Sequence, residues 1–270
     1  MALAGMEYLK KIVEKSRANG NGNYGLPKWS SVSGILPQGV RRRFAALART
    51  HLVPPGSCLL CGADSGKDLL CPPCVSDLPP LPVHRCPRCG ETTTYGEHCG
   101  SCLQRPPAFS GVSALYRYDF PVDRLVHALK YGHQLALADW FGKRLAELLV
   151  GPDFTAIIPL PLHPQRLRER GFNQSLEIAR TIAGLRQLPL ARDLLQRQRA
   201  TASQAGLDRK ARQRNVRGAF ACHADCSGQR LLLVDDVLTS GATADEAARS
   251  LIEHGALEVH VAVVARTLNS

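Results

Sequence analysis

Long apolar runs are missing from this chain of 270 residues; no stretch approaches the roughly 18 apolar residues that a membrane-spanning helix needs. The opening "MALAGMEYLKKIVEKSRANG" also lacks the apolar core and cleavage site of a secretory signal. The expectation is a soluble cytoplasmic protein with no membrane insertion. Aromatic residues are scarce, at 6%, so stacking surfaces are few, although Tyr131 and Phe172 sit among basic residues. The loop that follows Asp235 and Asp236 has neither GxxxxGK[ST] nor GxGxxG, which excludes a P-loop and a Rossmann fingerprint there. Acidic residues are in deficit, 23 against 34 Lys and Arg, for a formal net charge of +11. The imbalance is local: residues 166–217 hold thirteen Lys or Arg and four Asp or Glu. Such a density attracts phosphate groups, with a solubilising surface as the plainer alternative.

What is present is enough for a proper core, since 44% of the residues are hydrophobic. Residues 1–57 read as an N-terminal extension and linker, partly disordered. Two short helices are expected there, in "MEYLKKIVEK" and in 41–52, and the first forty residues are expected to come from an upstream start codon. Residues 58–108 carry a cysteine repeat. From 109 to 270, short apolar strands alternate with amphipathic helices, the pattern of an α/β domain with a largely parallel sheet. Strands are expected in "GVSALYRYDF", "FTAIIPLPL", "GAFAC", "RLLLVDD" and "EVHVAVVA"; helices in "PVDRLVHALKYG", "LADWFGKRLAELLV", "NQSLEIARTIAGL" and "ATADEAARSLIEHG".

The repeat is "CLLCGADSGKDLLCPPC" at 58–74 and "CPRCGETTTYGEHCGSC" at 86–102, both C-x2-C-x9-C-x2-C. Eight thiols at this spacing, in a chain with no export signal, favour metal over disulfides. Cys58, Cys61, Cys71, Cys74, Cys86, Cys89, Cys99 and Cys102 are the candidate ligands of one or two structural zinc ions. Two glycines, Gly62 and Gly90, stand where each knuckle turns. The segment has few large apolar residues, and bound zinc can supply about 10–16 kcal/mol of folding free energy. Sequential and interleaved pairing of the cysteines both remain open, as does disulfide or redox chemistry. His84 and His98 read as loop residues, and Cys222 and Cys226, in "ACHADC", have the wrong spacing for this ribbon.

"RLLLVDDVLTSGATADE" poses the functional question. A continuously apolar strand, buried on both faces, runs into Asp235 and Asp236. Ligands bind at the carboxyl ends of such strands. A helix follows whose first N–H groups lack partners and whose dipole favours an anion. Gly241 permits close approach, and Thr239, Ser240 and Thr243 add hydroxyls. Carboxylates beside a phosphate cradle suit ribose hydroxyls or Mg2+-bound water. Such a pairing fits a sugar that carries both a 5-phosphate and vicinal hydroxyls. A capped strand–helix turn with solvated acids is the plainer alternative.

This stretch resembles the phosphoribosyl pyrophosphate (PRPP) signature of type I phosphoribosyltransferases. With "IIPLPLHPQRLRERGFNQSLEIA" (157–179), "QAGLDRKARQRNVRGAF" (204–220), "ALKYG" (128–132) and the cysteine ribbon, the chain from 58 to 270 resembles the ComF family of competence-associated, phosphoribosyltransferase-like proteins. The resemblance implies a type I phosphoribosyltransferase-like sheet flanked by helices, preceded by a double zinc ribbon. It further implies that Asp235 and Asp236 contact the ribose 2- and 3-hydroxyls, and that Thr239, Ser240, Gly241, Ala242 and Thr243 cradle the 5-phosphate. Pro159 to His163, with Pro161, Leu162 and His163 at its core, faces pyrophosphate, and the segment around 199–217 closes over the site. Arg170, Asn173 and Gln174 of "RGFNQ" match one family motif; Gln204, Arg212 and Asn215 match a second. Lys130 matches a further family position to which the sequence assigns no role; it is grouped here with Arg166, Arg168 and Arg170 as nucleic-acid-binding. Asn173 equally suits a helix N-cap.

The implied function is binding of Mg2+-PRPP and single-stranded DNA in DNA uptake and natural transformation, with uptake or recombination machinery as partners. The alternative is a genuine phosphoribosyltransferase of nucleotide or cofactor metabolism with the ribbon as scaffold. A zinc-ribbon adaptor is weaker, because it leaves the two aspartates idle. No nucleobase signature and no isolated general acid or base stands out, and the acceptor does not follow from the sequence.

Overall fold

The computed structural model describes residues 56–149, 153–199 and 214–268. They fall into two compact units that divide between Ser76 and Asp77. The helices expected within 1–55 lie outside the described residues, as do Gln204 and Arg212.

The first unit holds one knuckle pair. Strands β1 (Gly56–Ser57) and β2 (Asp64–Gly66) pair antiparallel, and a short helix α1 (Pro72–Ser76) carries the last cysteine. The Ser65 hydroxyl donates to the carbonyls of Gly56 and Asp68, tying the ends of this small ribbon together.

The second unit contains the other cysteine group and the α/β domain. Its ribbon ends in α2 (Gly100–Gln104). A four-stranded, all-parallel sheet follows, in the order β3 (Gly111–Arg117), β8 (Glu258–Arg266), β7 (Arg230–Leu238), β4 (Ala156–Pro159). The central strands read Leu-Leu-Leu-Val and Val-His-Val-Ala-Val-Val because both faces are covered, and Leu231 to Val234 and Val261 to Ala265 are fully buried.

Helix α3 (Val122–Tyr131) and α4 (Ala136–Leu148) lead from β3 to β4; α5 (Pro164–Arg170) and α6 (Gln174–Arg186) leave β4. Helices α4 and α6 pack closely on each other and on the sheet. Gly142 marks the contact: a Cβ there would lie 2.6 Å from that of Thr181. Helix α7 (Ala242–Glu253) covers the opposite face, where Ala244, Ala247, Ala248 and Leu251 meet Leu231, Leu233, Val259 and Val261.

"GAFAC" forms a strand, β6 (Phe220–Cys222), but not in the main sheet. It pairs antiparallel with β5 (Leu195–Arg197), a strand that the sequence pattern did not announce. Strand β7 runs through both aspartates to Leu238, beyond the "LLLVDD" expected of it. Among the described residues no helix is long and apolar enough to cross a membrane.

Candidate functional site: an acid pair, a glycine loop and two four-cysteine centres

The cysteines assemble in sequence order, which resolves the pairing left open above. Cys58, Cys61, Cys71 and Cys74 place their sulfurs within 4.8 Å of one another, and so do Cys86, Cys89, Cys99 and Cys102. A tetrahedral ion with Zn–S near 2.3 Å requires sulfur–sulfur edges of about 3.8 Å. The Cys61–Cys71 and Cys89–Cys99 separations are both 3.6 Å.

The two knuckles are copies. The Gly62 N–H donates to the Cys58 carbonyl and that of Gly90 to the Cys86 carbonyl, each at 2.9 Å, with φ of +74° and +72°. Burial alone would raise the Cys58 thiol, yet the backbone amides of Cys61, Cys71 and Leu60 bring it down to about 6. Cys86 reaches about 6 the same way, through the amides of Cys99, Cys89 and Arg88. Cys74, Cys89 and Cys102 are instead pushed up by burial and by the neighbouring thiols of their sets; four sulfurs gathered this closely, one in each set already favoured as thiolate, fit Zn2+. Four thiolates close the coordination sphere, and the centres are structural. His98 Nδ1 lies 3.9 Å from Cys86 Sγ, outside the four-sulfur group. Cys222 and Cys226 are buried with sulfurs 3.6 Å apart, and among the described residues no further ligand joins them.

At the carboxyl end of the sheet, the two acids turn to different partners. Asp235 Oδ1 accepts from the Ser175 hydroxyl at 2.9 Å and from the Asp236 N–H at 2.8 Å. Asp236 is almost fully buried, with Oδ2 2.9 Å from Lys130 Nζ. Burial and then the neighbouring Asp236 push Asp235 up to about 7, against the opposing pull of Lys130. Burial would lower Lys130, but Asp236 and Asp235 outweigh it and its pKa rises. Lys130, the last basic residue of α3, thus acquires a partner that sequence reasoning did not supply.

Other expected residues frame this pair. The Asn173 side chain accepts from the Ser175 N–H at 3.0 Å, so it is the cap of α6, and it also donates to the Leu160 carbonyl at 3.1 Å. The second bond anchors the end of β4, from which Pro161, Leu162 and His163 continue. His163 caps α5, its Nδ1 accepting from Gln165 N–H at 3.3 Å. Arg170 donates to the buried Gln174 at 2.6 Å, while Arg166 and Arg168 are exposed on α5. Arg197, on β5, was missed from sequence. Burial lowers its pKa, Arg166 adds to that, and Asp235 opposes it, so its guanidinium feels the charge of both. No motif spacing marks it; only the hairpin brings it there.

The glycine loop leads from β7 into α7. Gly241 has φ +79° and is the N-cap of a twelve-residue helix, and the Ser240 hydroxyl accepts from Ala242 N–H at 3.4 Å. Thr239, Ser240, Gly241 and Ala242 line a cavity of about 1430 Å3, walled opposite by Cys99 and Cys102 of the second ribbon. Asp235 and Asp236 do not line this cavity; the acids and the loop flank the same strand end.

Arg266 holds the loop. It is 5% exposed, and its guanidinium donates to the carbonyls of Leu238 (3.1 Å), Thr239 and Thr267. From the same side chain Nε donates to the Cys89 carbonyl at 3.0 Å, and Nη2 lies 3.3 Å from the Glu91 carboxylate. One buried cation therefore ties the second ribbon to the glycine loop. Asn215, of the second family motif, accepts through its carbonyl from Arg199 at 3.3 Å.

Comparison with known proteins agrees with this construction. The family description "Double zinc ribbon domain" matches residues 49–103, and "Phosphoribosyl transferase domain" matches 186–270. The DNA utilization protein YhgH of Escherichia coli O157:H7 is 34% identical over 191 residues, 68% of this chain and 84% of that protein. Competence protein F of Haemophilus influenzae is 30% identical over 217 residues, 74% of this chain and 91% of its own. Among solved structures, a purine phosphoribosyltransferase from Pyrococcus horikoshii Ot3 aligns with 47% of this chain and 71% of its own, at 20% identity and a TM-score of 0.33. With both cysteine centres, the parallel sheet and relatives of this identity along most of its length, the chain belongs to the ComF family of double-zinc-ribbon, phosphoribosyltransferase-like proteins.

Proposed function

We propose that this protein binds Mg2+-PRPP, or a related phosphorylated ribose, at the end of β7 and single-stranded DNA on the adjoining arginine-rich surface, in the handling of incoming DNA. The observation that carries the first half is the acid pair near the carboxyl end of a buried parallel strand, which leads into a glycine-capped helix. Asp235 and Asp236 would accept hydrogen bonds from the ribose 2- and 3-hydroxyls. Meanwhile the first turn of α7, with Thr239, Ser240 and Thr243, would receive the 5-phosphate. Mg2+, when bound, would neutralise the pyrophosphate oxygens, and carboxylate oxygens suit it. Lys130 holds Asp236 in place, and Arg197 adds positive charge that Asp235 influences.

For DNA, support comes from the charge on 166–217 and from relatives whose names speak of DNA utilization and competence. Affinity of that origin weakens steeply with salt and shows little sequence preference. The role in DNA uptake, and a cytoplasmic location with it, is part of this proposal.

Calorimetry with PRPP and Mg2+ tests the site. Asp235→Asn with Asp236→Asn should weaken binding at least about tenfold, the scale of one or two lost charge-assisted hydrogen bonds. Unaltered affinity in a folded double variant refutes the assignment. Pyrophosphate release measured with a panel of bases separates a binding module from a genuine transferase: release with any one base means turnover.

A further inference from the structure

Two segments far apart in sequence meet beside the acids with one offset. Tyr131 faces Arg170, whose Cζ is 5.1 Å from the ring centroid and whose Nη2 is 3.5 Å from the phenol oxygen. Two residues further along both segments, His133 faces Phe172 with centroids 6.0 Å apart. His127, one turn before Tyr131 on α3, lies 4.8 Å from it, centroid to centroid. In a chain with 6% aromatics, rings and a guanidinium are thus gathered on one surface.

Most of the rings are open to solvent there, while Phe172 and Arg170 are half-buried. Tyr131 is 61% exposed, and both histidines are exposed as well. His133 has φ +52°, a backbone region that residues other than glycine rarely adopt, and it is in this conformation that its ring meets Phe172. The surface also abuts the acids through the chain itself. Tyr131 follows Lys130, which grips Asp236; Arg170 binds Gln174, which precedes Ser175, the donor to Asp235.

We propose that Tyr131, His133 and Phe172, with Arg170, form a stacking surface for an unpaired nucleobase beside the acid pair. Rings and guanidinium planes stack on any base face, and the exposed Arg166 and Arg168 supply charge for the phosphates that accompany it. The inference rests on the phosphoribosyl reading of the acids for its placement, and it names the ligand class that would share the site. The base can come from a free nucleotide or from a single strand, and the test separates the two.

Fluorescence anisotropy at fixed salt would compare a short oligothymidylate, an abasic strand of equal length and thymidine monophosphate. Tyr131→Ala and Phe172→Ala should each weaken oligothymidylate binding by about 5- to 100-fold, the range for losing one stacked base. Abasic-strand binding should be unchanged, and Tyr131→Phe should restore the loss. A Tyr131-dependent loss confined to thymidine monophosphate assigns the surface to free nucleotides. Equal losses on normal and abasic strands, no loss in either variant, or no binding of any probe by the parent protein overturns the proposal. PRPP calorimetry on Tyr131→Ala keeps the two readings apart. Retained PRPP affinity shows the acid site intact, whereas base stacking in a protein that never binds PRPP would leave this surface standing and remove the phosphoribosyl reading.

Discussion

At the scale of single residues, the acid pair sets burial against charge. Asp235 is drawn out of water next to a second carboxylate, and one lysine serves both. An acid whose folded pKa stands near 7, against about 3.9 when unfolded, takes up a proton on folding between those values. Its contribution is fully present below the unfolded pKa and is lost as pH rises through 7. Asp235→Asn keeps an oxygen to accept from Ser175 and removes the charge. It should therefore raise Tm at pH 8 by several °C, since the rise from about 3.9 to about 7 corresponds to at most about 4 kcal/mol. The gain should vanish near pH 4, and thermal melts across that range would read it. A gain independent of pH would mean that charge at Asp235 is not what the fold resists.

Elements carry the next level of the design. The glycine loop is held from behind, by carbonyl oxygens that Arg266 collects at the end of β8. The same guanidinium binds Cys89 and Glu91, so the ribbon buttresses the loop. Arg266→Met would leave several buried carbonyls and a carboxylate without their donor, for a loss on the order of 3–5 kcal/mol. Arg266→Lys would keep the charge but not the planar fork, and should recover only part of that stability. Urea denaturation gives the stability, and PRPP calorimetry on the lysine variant shows whether loop geometry shifts with it. Full recovery by lysine would mean that the charge alone matters. None of this was legible beforehand: Arg266 sits in "VVARTL" with no motif around it. Gly62 and Gly90, in contrast, were readable because a CxxC knuckle needs a left-handed residue at that one place.

On the scale of the molecule, the two cysteine centres are alike in structure but not in company. The first lies in the unit ending at Ser76; the second lies in the unit of the sheet, bonded to Arg266. Purified protein should hold two zinc ions per chain by elemental analysis, and Cys58→Ser should hold one. The Cys86→Ser variant should lose an ion and much of the PRPP affinity too, since the loop loses its buttress; equal affinity in both variants would place the second centre apart from the loop. Sequence alone settled what depends on local spacing: eight thiols in two sets, strands alternating with helices, and an acid pair before a glycine-started helix. Periodicity and turn chemistry act over a few residues, so a linear reading captures them. Only the tertiary structure decided which cysteines share a centre, that Lys130 closes on Asp236, that Arg197 on a separate hairpin feels the charge of Asp235, and that Tyr131 meets Arg170. Outside each ribbon they join residues from about forty to just over a hundred positions apart, and they follow from how strands and helices pack, which no local spacing records.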